Sequence, residues 1–435
     1  MSVSTPEHDQ AEHTRWNSPI LVTETAFFMS GLAFVDPATV LPLFITRLGG
    51  SPLLVGLVIV LQRLGYILPQ LPMAAILGHR SRRAPFLRWG VLIGRMPMLA
   101  FVVYLWTAGT EAKGFVLAFM LFSYFTTSAG NGVVAVPWQD IIAKSIPSVL
   151  RGRFFASMQF TTSLATIGVG LAVKWILGAS GPGFPLSYTV LFTLLAAFFT
   201  VSTILCWMMR EPIRPALDSP DSMGAIVRSA GPLFRGDRAF RYLVLTGFLG
   251  SSLTFTTPFY MVYAKVRLGV PEAMAGVYIL AMTLSGAGFA WLWGRLNDRY
   301  GPQSVVKGSC TMLAAAPVLA LLVPAIIRGD GEGLYYAMAL VFMAAGAAGS
   351  GMFMGLMNYL FELTSHQERH RYIALMSLLT APGALTPALI GWMLEYLPFP
   401  TVFGLMALLA SAAVAAAWRM PALRPGAQLR PSSEY

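Results

Sequence analysis

The chain has 435 residues, of which 11% are charged and 56% hydrophobic, and it carries a net charge of +11. Soluble domains hold about 25% charged residues, and counting Gly while leaving out Tyr raises the apolar share here to about 62% against roughly 45–50%. A soluble globule could not bury that much apolar surface, and a disordered chain lacks the aliphatic and aromatic content.

A membrane-crossing helix needs about 20 mostly apolar residues. Twelve stretches meet that measure: 19–46, 52–77, 86–109, 114–137, 153–178, 187–209, 241–264, 272–294, 304–327, 334–360, 372–395 and 399–419. The residues before the first, 1–18, hold three acids and one Arg, unlike the basic start of a secretory signal. They read as a tail, followed by six spans in 19–210, a polar linker at 211–240, six spans in 241–420 and a second tail at 421–435. The first span exceeds the roughly 7–15 apolar residues of a signal and reads as retained.

Lys and Arg in the loops set orientation. With both ends on one side, that side holds 22 of the 30, among them Arg80, Arg82, Arg83, Arg88, Lys144, Arg151 and Arg153. The other side holds 6, and Arg63 and Arg95 fall mid-span. The basic excess is therefore a topology signal with both termini cytoplasmic, and it is dispersed where a nucleic-acid binder would concentrate it. Most Trp residues, including Trp16, Trp89, Trp106, Trp138, Trp207, Trp293 and Trp418, fall near span ends, where amphipathic rings prefer to sit. Cys206 and Cys310 lie inside apolar runs and read as small buried hydrophobes.

The chain contains an internal repeat. Arg151-Gly152-Arg153-Phe154-Phe155-Ala156-Ser157-Met158 aligns with Arg369-His370-Arg371-Tyr372-Ile373-Ala374-Leu375-Met376 at an offset of 218, which also sets Asp140 opposite Asn358. Both copies lead into a span, the fifth and the eleventh, as a chain of two six-span halves requires. Between the eighth and ninth spans stands Gly294-Arg295-Leu296-Asn297-Asp298-Arg299-Tyr300-Gly301. Gly294, Asp298, Arg299 and Gly301 match the Gly-x-x-x-Asp-Arg-x-Gly signature of the major facilitator superfamily, which the chain resembles over essentially its whole length. The resemblance implies an all-α integral membrane protein, twelve transmembrane helices in two pseudo-symmetric six-helix bundles. In the first half Gly78 replaces the signature Asp and only Arg82 and Arg83 survive, so a latch between halves should rest more on Asp298 and Arg299. Asp140, Arg151 and Arg153, in the fourth-to-fifth loop, are further candidates for the inner gate.

An ionisable group deep in the bilayer costs at least about 2.5–3.5 kcal/mol and is a functional candidate for that reason. Asp36 lies about 11 residues before Arg47, and Arg63 about 12 after Ser51, so at 1.5 Å per residue both sit near the midplane. Arg95 reaches a similar depth, and Asp36 can pair with either Arg. Glu24 reads as about one turn inside the cytoplasmic face. Asp36 is the first candidate for a proton-coupling carboxylate, Glu24 the second. Tyr124, Thr127, Ser128 and Asn131 form a polar stripe on the fourth span. The second half holds no charge well inside its spans, but has a Met- and Gly-rich tenth span suited to adaptable apolar contact. The resemblance implies a central cavity lined by the first, fourth, seventh and tenth helices, which would take Asp36, Asn131, Tyr260 and Asn358, with Gln159 on a flanking helix.

No catalytic constellation, metal cluster or phosphate loop is present in the sequence; His366 and His370 are too isolated to bind metal. The expected function is transport of a small solute by alternating access, first as proton-coupled efflux of an amphipathic molecule, with nutrient uptake or a non-transporting scaffold as alternatives. The fifth span lacks the Gly-Pro stretch typical of drug exporters. The expected partners are a small-molecule substrate, protons and lipid around a monomer in the cell membrane, with no cofactor and no nucleic acid.

Overall fold

The computed structural model describes residues 6–78, 80, 82–212, 231–327, 331–364 and 369–423. The linker residues 213–230, His79, Arg328, His366 and the end of the second tail lie outside them. In the first half the helices are α1 (Pro6–Phe34), α2 (Val40–Arg47), α3 (Pro52–Gly78), α4 (Ala84–Ala108), α5 (Lys113–Ser145), α6 (Ser148–Ile176) and α7 (Leu186–Met208). The second half continues with α8 (Arg238–Thr254), α9 (Pro258–Leu268), α10 (Met274–Tyr300), α11 (Pro302–Ile326), α12 (Glu332–Ala337) and α13 (Ala339–Leu363). It closes with α14 (Arg369–Thr380), a 3-10 turn (Ala381–Leu385), α15 (Thr386–Tyr396) and α16 (Phe399–Trp418). No strand occurs among the described residues.

Among the described residues, ten helical stretches are long and apolar enough to cross a membrane. The two remaining expected spans, the first and seventh, are interrupted. α1 gives way to α2 across Asp36-Pro37, and α8 to α9 across Phe255-Thr256-Thr257. These breaks coincide at the 218-residue offset of the repeat. Pro has no N–H to continue a helix, so the carbonyls before it need other donors. At the first break the Tyr124 hydroxyl donates to Val35 O at 2.8 Å. The eleventh span is broken as well, at the 3-10 turn, whereas its counterpart α6 runs on unbroken.

The chain divides into two compact units, Met1–Ser219 with Ala275–Ile279, and Pro220–Met274 with Leu280–Tyr435. In the first, α1 packs on α6 and α7, and α5 on α3 and α4; in the second, α8 packs on α14 and α16, and α11 on α13 and α16. Close helix approach in lipid relies on small residues rather than on hydrophobic burial. A Cβ on Gly94 would stand 2.6 Å from the Gly130 Cα, so α4 and α5 touch backbone to backbone. Aromatic side chains fill the remainder, with Phe192 against Phe44 and Phe101 in the first unit and Phe403 against Tyr260 and Tyr263 in the second.

Of the span-end Trp residues, Trp293 is buried and donates to Ala347 O, tying α10 to α13, and Trp138 turns inward. Gly301 is required: it ends α10 at φ 82°, and a Cβ there would lie 2.6 Å from Leu423 O. Gly294 has open space around it.

Candidate functional site

Two of the charges within the spans of the first unit, Glu24 and Arg95, meet in one network. Glu24 on α1 and Arg95 on α4 are 5% and 4% exposed, so Glu24 is an interior group rather than one that reaches the bilayer surface. α7 places Phe199, Ser202, Thr203 and Cys206 on one face at helical spacing. The Ser202 hydroxyl donates to Glu24 Oε1 at 2.6 Å and accepts from Arg95 Nη2 at 3.1 Å. Arg95 Nη1 donates to Phe199 O and Thr203 Oγ1, both at 2.7 Å. Trp138 Nε1, from α5, donates to Glu24 Oε2 at 3.3 Å, and Cys206 lies beside the same carboxylate. The Arg95 guanidinium also stands over the Phe199 ring, 4.9 Å from its centroid. Opposite charges in lipid are thus joined through a hydroxyl, and either one alone would be costly to bury.

Asp36 has a different role from the one its depth suggests. Its Oδ1 accepts from Ala38 N at 3.0 Å and Thr39 Oγ1 at 2.9 Å, and its backbone O accepts from the first amides of α2. Its carboxylate closes a turn inside the interruption, ahead of the Thr39 that begins α2, and among the described ion pairs none joins it to Arg63 or Arg95. The break at Pro37 supplies the donors its carboxylate is seen to accept from.

Asn131 lines a small, mainly apolar cavity of about 30 Å³ whose polar side holds Gln62, Tyr124, Thr127 and Ser128. Ser128 donates to Gln62 O, while Thr127 Oγ1 is buried with no hydrogen-bond partner among the described residues. The other residues expected around a substrate do not line this small cavity. Gln159 is exposed and bonds Ser163 within its own helix. Tyr260 is 3% exposed and packs on Phe403 in the core of the second unit. Asn358 bonds Asn297 at 3.2 Å, beside the signature loop.

The Arg-rich end of the first unit is held by a second cluster. Arg83 Nη1 lies 2.9 Å from Asp140 Oδ1, and Lys144 Nζ 2.6 Å from Asp140 Oδ2 and 3.8 Å from Glu211. Glu211, at the start of the linker, accepts from the backbone amides of Arg83 and Ala84 and so caps α4. Arg151 donates to Ala143 O and Ile146 O, closing the C-terminus of α5; Arg82 and Arg153 are exposed. In the second unit Asp298 and Arg299 are exposed, and no described ion pair includes either. There Asn358, the counterpart of Asp140 in the repeat, pairs with Asn297. Asp140→Asn removes the carboxylate that two cations share, and is expected to lower stability by about 2 kcal/mol, read as an earlier thermal transition of the purified protein in detergent.

Glu211, Lys144, Ser202 and Trp138 were not among the expected site residues. Ser202 and Trp138 carry no charge, and Glu211 stands at a linker boundary, so only proximity in the fold reveals them.

Comparison with known proteins agrees with this architecture. An uncharacterized protein of Mycobacterium tuberculosis is 24% identical over 382 residues, spanning 84% of this chain and 69% of the relative. Among solved structures, the nucleoside transporter NupG superposes with a TM-score of 0.65 at 13% identity, covering 94% of this chain and 98% of that one. A bacterial homologue of the iron transporter ferroportin in its inward-facing state gives 0.67 at 14% identity (93% and 98%), and a D-xylose-proton symporter 0.65 at 14% (96% and 98%). At such identities the likeness is one of fold. The Major Facilitator Superfamily model matches residues 25–329 and 267–434. With twelve spans in two halves and that match across most of its length, the chain belongs to the Major Facilitator Superfamily of membrane transporters.

Proposed function

We propose that the protein is a proton-coupled secondary transporter of the cell membrane that exports a small amphipathic solute by alternating access, with Glu24 as the proton-carrying carboxylate. The observation that supports this is the buried Glu24–Ser202–Arg95 relay. A carboxylate in lipid beside a cation can exchange its charge for a proton, and the hydrogen bonds it makes to α7 and α5 change when it does. Protonation of Glu24 removes the negative partner of Arg95, which then favours another anion or a different helix arrangement. Asp36, occupied by its local turn, is assigned to the helix break.

The test uses protein in proteoliposomes with a panel of fluorescent amphiphiles and an imposed pH gradient. Glu24→Gln is expected to reduce gradient-driven flux at least about tenfold while exchange at equal pH persists; Asp36→Asn is expected to retain gradient-driven flux. Undiminished gradient-driven flux in Glu24→Gln overturns the assignment, and accumulation rather than extrusion in intact cells overturns the direction.

A further inference from the structure

A second feature borders Arg95. Between α4 and α7 lies a crevice of about 100 Å³ lined by Arg95, Leu92, Leu99, Thr200, Thr203 and Ile204. One water needs about 10–15 Å³ of such volume, so the crevice admits a head group of several non-hydrogen atoms. Its outer face carries the marks of a lipid-facing surface. Ile93, Met96, Val103 and Ile204 are large, apolar and 55–67% exposed on the two helices that form it. At one end Trp89 and Trp207 meet edge to face at 5.9 Å, and at the other Trp106 Nε1 donates to Thr193 Oγ1 at 2.9 Å. Trp89 and Trp106 are about 17 residues apart on α4, or about 25 Å, close to the thickness of the hydrocarbon layer, and aromatic pairs at that separation mark its two borders.

Arg95 lies between those borders with its Nε donor unused. Its two terminal nitrogens are engaged with α7, but Nε is buried and has no acceptor among the described residues. A buried guanidinium N–H without an acceptor is costly, and a carboxylate is the acceptor its planar fork fits best. We infer that the α4–α7 crevice receives the carboxylate head of a single-chain amphiphile arriving sideways from the lipid, with Arg95 as its anchor and its chain lying along the apolar stripe. The charged and titratable groups packed against Arg95 are Glu24 on α1 and Cys206 on α7. Glu24 competes with the incoming anion for the same cation, so neutralising Glu24 strengthens binding. As a route of substrate arrival this rests on the transport reading; as a binding site it stands apart from it, and a binding assay separates the two.

The test is photolabelling of the full chain in lipid nanodiscs with a palmitate bearing a chain diazirine, followed by peptide mapping. Labelling is expected to concentrate on the segments 89–106 and 193–207, and to be displaced by palmitate but not by hexadecanol. Thr200→Trp, an exposed position at the lip, should abolish it, and Glu24→Gln should raise it about tenfold. Even labelling of all exposed helices, equal displacement by the alcohol, or unchanged labelling in Thr200→Trp each overturn the site, whatever the outcome of the flux measurements.

Discussion

Replacing Arg95 by Met is expected to destabilise the first unit by about 3–5 kcal/mol, since a buried charge pair that loses one partner leaves the other uncompensated in a low-dielectric interior. Glu24 would keep its bonds from Ser202 and Trp138. It would lose the positive charge that makes its ionised form tolerable, and α7 would lose the ties from α4 to Phe199 O and Thr203 Oγ1. The double variant Glu24→Gln with Arg95→Met removes both charges and is expected to recover most of the loss. A double-mutant cycle on thermal unfolding in detergent measures the coupling. Additive effects of the two substitutions would show that Ser202 transmits no interaction between them.

Gly94→Val is expected to have an effect of similar size by another route. The added Cβ would stand 2.6 Å from the Gly130 Cα, a backbone atom that cannot rotate away. The helices must separate, and the loss is about 3 kcal/mol because every contact along the α4–α5 seam is affected. Gly168 in α6 offers the matched control, since a Cβ there meets nothing within 4 Å. Gly168→Ala should be neutral or stabilise slightly through helix propensity. Size-exclusion profiles and melting curves of the two variants distinguish a packing requirement from a general intolerance of side chains in these helices.

Much of the architecture is legible in the sequence because lipid imposes a simple rule: long apolar runs must cross, and charges must collect between them. The interruption at Asp36-Pro37 could also be read locally, as an acid poised to cap and a Pro that cannot continue. Depth counting favoured a functional charge there instead. For Glu24, depth says nothing of its surroundings: it is buried against side chains of α5 and α7 that lie far away in the sequence. The relay could not be read at all, because its middle member is a serine 178 residues away from the acid it serves. Asn358 and Tyr260 have residue types that suit a cavity, yet one is held by Asn297 and the other by aromatic packing. Residue type and depth do not say which way a side chain turns.

The first helix has a consequence for how the protein is made. It falls short of the apolar content of the ten autonomous spans and buries an acid whose hydroxyl and cation partners belong to α7 and α4. Released into lipid as it emerges from the ribosome, it would expose that acid to hydrocarbon. The hydroxyl and the cation that accompany that acid are synthesised only with the sixth and third crossings, so its burial depends on chain made well after it.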